Sequence, residues 1–349
     1  MAKFNPLRIK KLIKETKDSV SITFAIPSAL KEDFKFVAGQ YITMKTTLNK
    51  EEVRRAYSIC SSPNSGEITV AVKRIEGGNF SVYATTELKQ DTIIEVAPPE
   101  GNFILKTKSS QSNHYLSFTA GSGVTPIMAM IKDVLETEPN STFTLVFGNK
   151  TQDTALFLEE INALSKKYEN KLFVHYIFSK EEVEGALSGR INTSVVKRVL
   201  ENSKVSFDSV FLCGPEEMIH TVKEALIQEN FKEENIHFEL FTKSHKEEDT
   251  VENANLEGET EITILLDDET AIFKMNQANN ILEAALKEDL DAPYSCKGGV
   301  CSSCLAQVTE GKAMMKNNRI LSTDQVAEGY ILTCEAHPTT AKITIDYDI

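Results

Sequence analysis

Three of the six cysteines lie within ten residues, in the stretch SCKGGVCSSC at 295–304. Four residues separate Cys296 from Cys301, two separate Cys301 from Cys304, and twenty-nine separate Cys304 from Cys334. The opening stretch MAKFNPLRIKKLIKET has no uninterrupted apolar run, which argues against a secretory signal and predicts a cytoplasmic protein with reduced thiols. Clustered reduced thiols indicate a metal or catalytic site rather than disulfides.

The order C-x(4)-C-x(2)-C with a distant fourth cysteine fits the thiolate set of a 2Fe-2S cluster, with Cys296, Cys301, Cys304 and Cys334 as ligands. Structural zinc is the alternative, but such a site usually has two short C-x(2)-C hooks, and only one is present. Gly298 and Gly299 allow the backbone to wrap closely and to direct N–H groups at the cluster sulfides. The spacing therefore favours iron over zinc.

A second chemical motif is the glycine-rich stretch TAGSGVTPIMAM at 119–130. Gly121 and Gly123 would let a pyrophosphate approach the N-terminus of the following helix. Pro126 stands where a dinucleotide fingerprint has its third glycine, so by itself the stretch is also compatible with a plain tight turn. The stretch CGPEEM at 213–218 follows a later apolar strand.

The pattern of strands and helices that must position these motifs predicts a multidomain chain. Short strands between Gly, Pro, Asn and Ser turns predict an antiparallel β-barrel, and alternating apolar strands and amphipathic helices then predict an α/β domain with a parallel sheet. A polar stretch follows, and a small α+β domain ends the chain. The predicted boundaries are 1–110 for the barrel, 111–243 for the α/β domain, 244–258 for a linker and 259–349 for the cysteine domain.

Charge and hydropathy exclude some functions. The 349 residues carry a net charge of −13, which opposes binding to nucleic acid or anionic lipid. The longest apolar stretch, at 115–131, is too short for a membrane span and contains glycines and a proline. Residues 259–349 hold 15 acidic against 7 basic residues, which indicates either a solvated surface or a patch that steers a basic partner.

Four motifs together point to a family. They are R-x-Y-S at 55–58, G-x-x-S at 78–81, G-x-G-x-x-P at 121–126 and C-G-P at 213–215. A barrel and a nucleotide domain with these motifs in this order resemble the ferredoxin–NADP reductase family. With a C-terminal domain like a plant-type ferredoxin, the chain resembles the reductase components of oxygenases, in particular the reductase subunits of phenylacetyl-CoA epoxidase complexes. The resemblance implies that the α+β cysteine domain has the ferredoxin-like β-grasp fold.

The resemblance implies a flavin site in the barrel. Arg55 would pair with the flavin pyrophosphate, Tyr57 would cover one face of the isoalloxazine, and the Ser58 hydroxyl would lie near flavin N5. The further residues that it places around FAD are Ala56, Val72, Lys73, Gly78, Phe80 and Ser81.

The resemblance also implies a nicotinamide site. Thr125, which follows the glycine turn and precedes Pro126, would face both cofactors. Cys213, followed by Gly214, would lie beside nicotinamide C4. Glu239 and Phe241 correspond to the family's terminal Glu-x-aromatic pair, whose ring stacks on the flavin. In this chain the aromatic residue is Phe rather than Tyr, and further residues follow it.

The preferred nucleotide depends on the groups near the adenosine 2′ position. Lys150, Ser179 and Lys180 suit a 2′-phosphate and favour NADPH, whereas Glu181 and Glu182 favour NADH. The implied function is electron transfer from NADPH through FAD and a 2Fe-2S cluster to a terminal oxygenase, with di-iron chemistry expected in that partner. A reductase for another oxygenase or hydroxylase, and a redox-sensing iron–sulfur flavoprotein, are the alternatives.

Overall fold

The computed structural model describes residues 3–241, 256 and 258–349. Asn5–Phe241 forms one compact unit, and the part of the chain that ends at Ile349 belongs to a second. Of the predicted linker at 244–258, only Leu256 and Gly258 lie within the described residues.

The first part of the larger unit is an antiparallel barrel with one helix. Its sheet has the order β4-β3-β6-β1-β2-β5, and it is closed by the bridge between Ile59 and Val70. Alternate side chains point inward, as the pleat requires, and the interior is filled by Leu7, Ile22, Phe24, Ile42 and Val70. The elements are β1 Asn5–Thr16, β2 Ser19–Ala25, β3 Tyr41–Leu48, β4 Glu51–Ser58, β5 Ile68–Lys73, β6 Ile93–Val96 and the helix α1 Asn79–Thr86.

The second part is a parallel sheet with the order β10-β9-β8-β7-β11-β12. Nearly all of β8 is buried, as expected for a strand covered by helices on both faces. Its strands are β7 His114–Ala120, β8 Thr142–Asn149, β9 Leu172–Phe178, β10 Leu187–Ser188, β11 Ser209–Cys213 and β12 Ile236–Glu239. Its helices are α2 Val124–Thr137, α3 Leu158–Lys167, α4 Thr193–Asn202 and α5 Glu216–Gln228.

The chain direction across this sheet creates a crevice. From β7 the chain adds β8, β9 and β10 on one side, and it then crosses to add β11 and β12 on the other. The loops after β7 and β11 therefore leave the sheet in opposite directions. In open α/β sheets, ligands bind at such a switch point, outside the carboxyl ends of the strands.

The C-terminal unit has a five-stranded mixed sheet, β14-β13-β19-β15-β17, and a two-stranded ribbon, β16-β18. The hairpin that joins β13 to β14 has a two-residue turn, Asp267 and Asp268, and both residues have positive φ. Strand pairing resumes directly after the turn, and Thr270 pairs with Leu265. The strands are β13 Glu259–Leu266, β14 Glu269–Asn276, β15 Leu305–Glu310, β16 Ala313–Met315, β17 Tyr330–Leu332, β18 Ala336–Pro338 and β19 Lys342–Asp346, and the helices are α6 Ile281–Lys287 and α7 Thr323–Ala327.

These three architectures confirm the predicted fold class: an antiparallel barrel, a parallel α/β sheet and an α+β cysteine domain. No helix in the described part of the chain combines the length and the apolar composition needed to cross a membrane.

Candidate functional site

The carboxyl edge of the parallel sheet brings two predicted site residues, Cys213 and Glu239, side by side. In the register of the strands, Cys213 at the end of β11 pairs with Thr119 of β7 on one side and with Glu239 of β12 on the other. The Thr119 hydroxyl donates to Cys213 O at 2.7 Å. Cys213 and Glu239, distant in sequence, are therefore neighbours at the switch point.

The two glycines of the turn after β7 have different tasks. Gly121 has φ +57 and open space where a Cβ would stand, so it supplies the left-handed conformation of the turn. A Cβ on Gly123 would lie 2.2 Å from Cys213 O, so this glycine lets the turn pack against the end of β11. The structure thus explains Gly123 by packing within the protein, whereas the sequence had suggested close approach of a pyrophosphate.

The remaining nucleotide motifs surround the same turn. Thr125 is buried in the first turn of α2 and donates to Ser122 O at 3.0 Å, and Pro126, whose missing N–H is tolerated there, is buried beside it. A Cβ on Gly214 would lie 2.7 Å from the Met218 methyl group. Phe241 is partly buried and packs against the core that contains Cys213.

The barrel reaches this crevice through the last residue of β4. Ser58 Oγ donates to Glu239 Oε2 at 3.3 Å. Burial raises the pKa of Glu239 to about 8, while the hydrogen bond from Ser58 lowers it. Although Glu239 retains some exposed surface as a residue, its carboxyl group is enclosed by protein. The carboxyl group can therefore hold a proton at neutral pH beside Ser58 and Cys213.

Cys213 has no exposed surface. Burial raises the pKa of its thiol well above the ordinary value, and the nearby Glu239 carboxylate raises it further. A thiol in this state is a poor nucleophile, because the thiolate is the reactive form. Its contribution is therefore shape and packing at the end of β11.

The predicted flavin residues lie on β4 and α1 of the barrel. The Tyr57 ring packs against Phe80, with centroids 5.6 Å apart and planes inclined by 39°. Arg55 is exposed and donates from Nη1 to Arg54 O at 2.7 Å, and Ala56 is half-buried between Arg55 and Tyr57. An exposed cation and a half-buried aromatic ring thus occur close together at the end of β4, which suits a pyrophosphate and a flat ring system.

Gly78 shapes the N-terminus of α1. A Cβ at this position would lie 2.5 Å from Ser81 Oγ, and Ser81 Oγ accepts a hydrogen bond from Ile75 N at 3.1 Å. The free N–H groups at the start of a helix favour an anion such as a phosphate. The tight GGNFS turn and the adjacent aromatic pair therefore form a surface on which the residues present fit FAD.

Val72 and Lys73 differ in what they can contribute. The Val72 side chain fills the barrel core, so only its backbone is available to a cofactor. Lys73 is partly buried at the end of β5, and its Nζ lies 3.5 Å from Thr154 O. Burial, and then the charge of Lys150, lowers the pKa of Lys73. Lys73 thus lies between the barrel and the loop after β8.

The three residues proposed for the adenosine end meet at the carboxyl ends of β8 and β9. Ser179 N donates to Asn149 O and Lys180 N donates to Lys150 O, each at 2.9 Å. The side chains of these three residues, Lys150, Ser179 and Lys180, are exposed. Two ammonium groups and a hydroxyl are thus placed on adjacent loops at the edge where ligands bind.

A polar contact between the barrel and α2 was missed by the sequence reasoning. Asn64 Nδ2 donates to Asp133 Oδ1 at 3.1 Å, and Thr107 Oγ1 donates to Asp133 Oδ2 at 3.0 Å. Lys132 Nζ donates to Cys60 O at 3.0 Å. These contacts connect the segment after Ser58 to the helix that carries Thr125. The only sequence signal was the polar loop SSPNS after β4, which is typical of an ordinary turn.

The four predicted metal ligands form two pairs in the C-terminal unit. The Cys301 and Cys296 Sγ atoms are 3.1 Å apart, and Cys304 and Cys334 also hydrogen-bond each other. These bonds lower the pKa of Cys296 and of Cys334. One thiol of each pair is thus easier to convert into the thiolate that binds metals.

The loop around the thiols has the conformation that a cluster requires. Lys297 has φ +48 and Gly299 has φ +68, and Gly298 N donates to Cys296 Sγ at 3.3 Å. Backbone N–H groups also point at the other sulfurs, among them that of Gly299 at Cys334. Such N–H groups stabilise the negative charge of a bound cluster.

The pairing also bears on the choice between zinc and iron. A structural zinc needs four ligands around one point, whereas a two-iron cluster takes two thiolates at each iron. The two thiol pairs therefore fit a 2Fe-2S cluster better than they fit zinc.

Comparison with protein families accounts for all three parts of the chain. The oxidoreductase FAD-binding domain matches residues 6–104, the oxidoreductase NAD-binding domain matches 118–224, and the 2Fe-2S iron-sulfur cluster binding domain matches 264–339. One subunit of the 1,2-phenylacetyl-CoA epoxidase of Escherichia coli K12 is 38% identical over 100% of this chain and 99% of its own length. The chain belongs to this family of flavin iron–sulfur reductases.

The reductase is also similar to more distant proteins of the same organisation. The ferredoxin reductase component of 3-ketosteroid-9-alpha-monooxygenase from Rhodococcus rhodochrous is 31% identical over 98% of the reductase and 96% of its own length. The solved structure of phthalate dioxygenase reductase has a TM-score of 0.62 and 22% identity, and it covers 98% of both chains. The reductase is thus an oxidoreductase with FAD-, NAD- and 2Fe-2S-binding domains.

Proposed function

We propose that this reductase takes electrons from NADPH and delivers them to the oxygenase of a phenylacetyl-CoA epoxidase complex. The 38% identity to the Escherichia coli epoxidase subunit, over essentially the whole of both chains, carries the proposal for the partner. The convergence of Ser58, Cys213 and Glu239 at the switch point supports hydride transfer within Asn5–Phe241.

Each proposed role follows from the position of a side chain or a helix end. When bound, FAD accepts a hydride and the 2Fe-2S cluster carries single electrons, so the pair converts two-electron into one-electron chemistry. Ser58 and the protonated Glu239 carboxyl group would line the place of hydride transfer. Arg55 and the N-terminus of α1 would bind the flavin phosphates, and Tyr57 would cover the flavin ring.

The nucleotide preference rests on the loops after β8 and β9. Lys150, Ser179 and Lys180 present cations and a hydroxyl to a 2′-phosphate. Of the two acidic residues that favour NADH, Glu181 is already engaged, because its Oε2 accepts from Gln152 N at 2.7 Å. This engagement supports NADPH as the preferred donor, with NADH as the slower alternative.

The domain boundaries belong to the same proposal. We assign 1–110 to FAD, 111–243 to the nicotinamide nucleotide and 259–349 to the cluster, with 244–258 as the connection. Oxygen activation is assigned to a separate oxygenase, because none of the residues assigned to the cofactors would bind an organic substrate. The resemblance to epoxidase reductases is the ground for proposing that this oxygenase is a di-iron protein.

Reconstitution tests the proposal directly. The purified reductase, loaded with FAD and cluster, is mixed with the oxygenase subunits of a phenylacetyl-CoA epoxidase and NADPH, and epoxide formation is followed. We expect turnover that depends on the reductase and is faster with NADPH than with NADH. Support of a ring-hydroxylating oxygenase but not of the epoxidase would favour the alternative partner. NADPH oxidation without electron delivery to any oxygenase would contradict the proposal.

A further inference from the structure

Tyr347 follows the last strand of the C-terminal unit and lies in its core. Its backbone N donates to Leu265 O at 3.0 Å, which fixes the end of the chain to β13. Only 9% of the residue is exposed, and the same core contains Cys304 and Cys334. The ring therefore lies in the apolar surroundings of one of the two thiol pairs.

The hydroxyl group of Tyr347 is buried without a hydrogen-bond partner among the described residues. Burial raises the pKa of Tyr347, and the Thr333 hydroxyl is close enough to lower it, but Thr333 donates its own proton to Cys304 O at 3.1 Å and lies outside hydrogen-bond geometry with Tyr347. A buried hydroxyl without a partner costs free energy, so folded proteins rarely leave one. The Tyr347 hydroxyl thus has a proton to donate and lacks an acceptor.

The core in which this hydroxyl lies points to the missing acceptor, because Cys304 and Cys334 belong to the same packed cluster as Tyr347. Among the groups that act on Tyr347 are the sulfurs of Cys304 and Cys334, the second thiol pair. A bound 2Fe-2S group places anionic sulfur at this pair, and anionic sulfur accepts hydrogen bonds. The sequence did not predict this donor role for Tyr347, because the residue is far from the cysteine motif and belongs to no motif of its own.

We propose that the Tyr347 hydroxyl donates a hydrogen bond to sulfur at the Cys304–Cys334 pair of the bound 2Fe-2S group and thereby raises its reduction potential. This inference rests on the proposed function, in which these cysteines hold that group. Reduction adds negative charge to the sulfurs, so a donor stabilises the reduced form more than the oxidised form. Tyr347 is thus a positioning and tuning residue for electron acceptance.

The variant Tyr347→Phe tests the inference, since it removes the hydroxyl and keeps the ring that fills the core. Tyr330→Phe is the matched control, because Tyr330 is half-buried in the same unit and none of its described contacts involves a cysteine. The midpoint potential of the cluster is measured in the holoprotein by anaerobic titration against reference dyes, with the EPR spectrum of the reduced state. We expect Y347F to shift the reduction equilibrium about tenfold toward the oxidised form, which corresponds to about 59 mV for one electron, while Y330F stays at the wild-type value.

An unchanged midpoint and EPR spectrum in Y347F would overturn the inference, as would an equal shift in Y330F. If Y347F does not assemble the cluster, holoprotein made with fluorotyrosine in a Tyr294→Phe, Tyr330→Phe background decides the matter. The fluorinated phenol is a stronger donor, so the potential must rise, and a potential that does not rise refutes the inference. A wild-type protein that binds no 2Fe-2S cluster would overturn the proposed function itself, which separates the two failures.

Discussion

Ser58 Oγ lies 3.3 Å from Glu239 Oε2, and this hydrogen bond joins the last residue of the barrel strand β4 to the last residue of the sheet strand β12. The two residues are 181 positions apart in the sequence. Their contact brings a hydroxyl and a carboxyl group to the switch point, next to Cys213. The proposed hydride-transfer site is therefore shared between two sheets of one compact unit.

The raised pKa of Glu239 predicts that the stability of the flavin-free protein depends on pH. The Glu239 pKa is about 8 in the folded protein and 4.5 as an ordinary carboxyl group, so between these values the folded state retains a proton that the unfolded state loses. The free energy of unfolding should therefore fall as pH rises from about 4.5 to about 8. In Glu239→Gln this loss should be smaller by roughly 1–2 kcal/mol after allowance for solvent screening.

Urea titrations at several pH values measure this difference. The exposed Glu224→Gln serves as the control, and its profile should follow the wild type. Parallel profiles for Glu239→Gln and the wild type would show that the carboxyl group is ionised throughout and would contradict the prediction.

Cys301→Ser should abolish the cluster and leave flavin reduction by NADPH intact. Cys301 belongs to the C-terminal compact unit, whereas Ser58 and Cys213 belong to Asn5–Phe241. Iron content and EPR report the cluster, and stopped-flow bleaching of the flavin reports reduction. A variant that has also lost NADPH-dependent bleaching would show that the two units do not function independently.

The double variant Lys150→Ala, Lys180→Ala should lose its preference for NADPH. Charge-assisted hydrogen bonds to a phosphate contribute about 1.5–3 kcal/mol, so kcat/KM for NADPH should fall roughly ten- to hundredfold while that for NADH changes little. Lys204→Ala, which changes an exposed lysine in the loop before β11, is the control. An equal loss with both nucleotides would argue against a 2′-phosphate contact.

The acidic C-terminal region predicts that electron delivery depends on salt. Residues 259–349 carry 15 acidic and 7 basic residues, and exposed charges are screened beyond about 8–10 Å near physiological ionic strength. Delivery to the oxygenase should slow as salt increases, while reduction of flavin and cluster by NADPH changes much less. Both rates are measured across one salt series, and a parallel decline, or no decline in delivery, would assign the acidic residues to a merely solvated surface.

The sequence by itself determined the three architectures, and it predicted the cysteine ligand set. Strand and helix periodicity is a local property, and the spacing of Cys296, Cys301 and Cys304 is set by the chain within ten residues, so neither needs knowledge of distant contacts. The motif at 55–58 likewise predicted a flavin site in the barrel, because an arginine and a tyrosine before a serine form a short local pattern that the family shares.

Only the tertiary structure decided which distant residues share a site. The pairing of Cys213 with Glu239 follows from strand order, and the contact of Asn64 with Asp133 follows from the packing of the barrel on α2. The task of Gly123 depends on its distance from Cys213 O, and the unpartnered hydroxyl of Tyr347 depends on burial in the core of the C-terminal unit. Non-local packing sets all of these relationships, and it leaves no periodic or short-range signal in a single sequence.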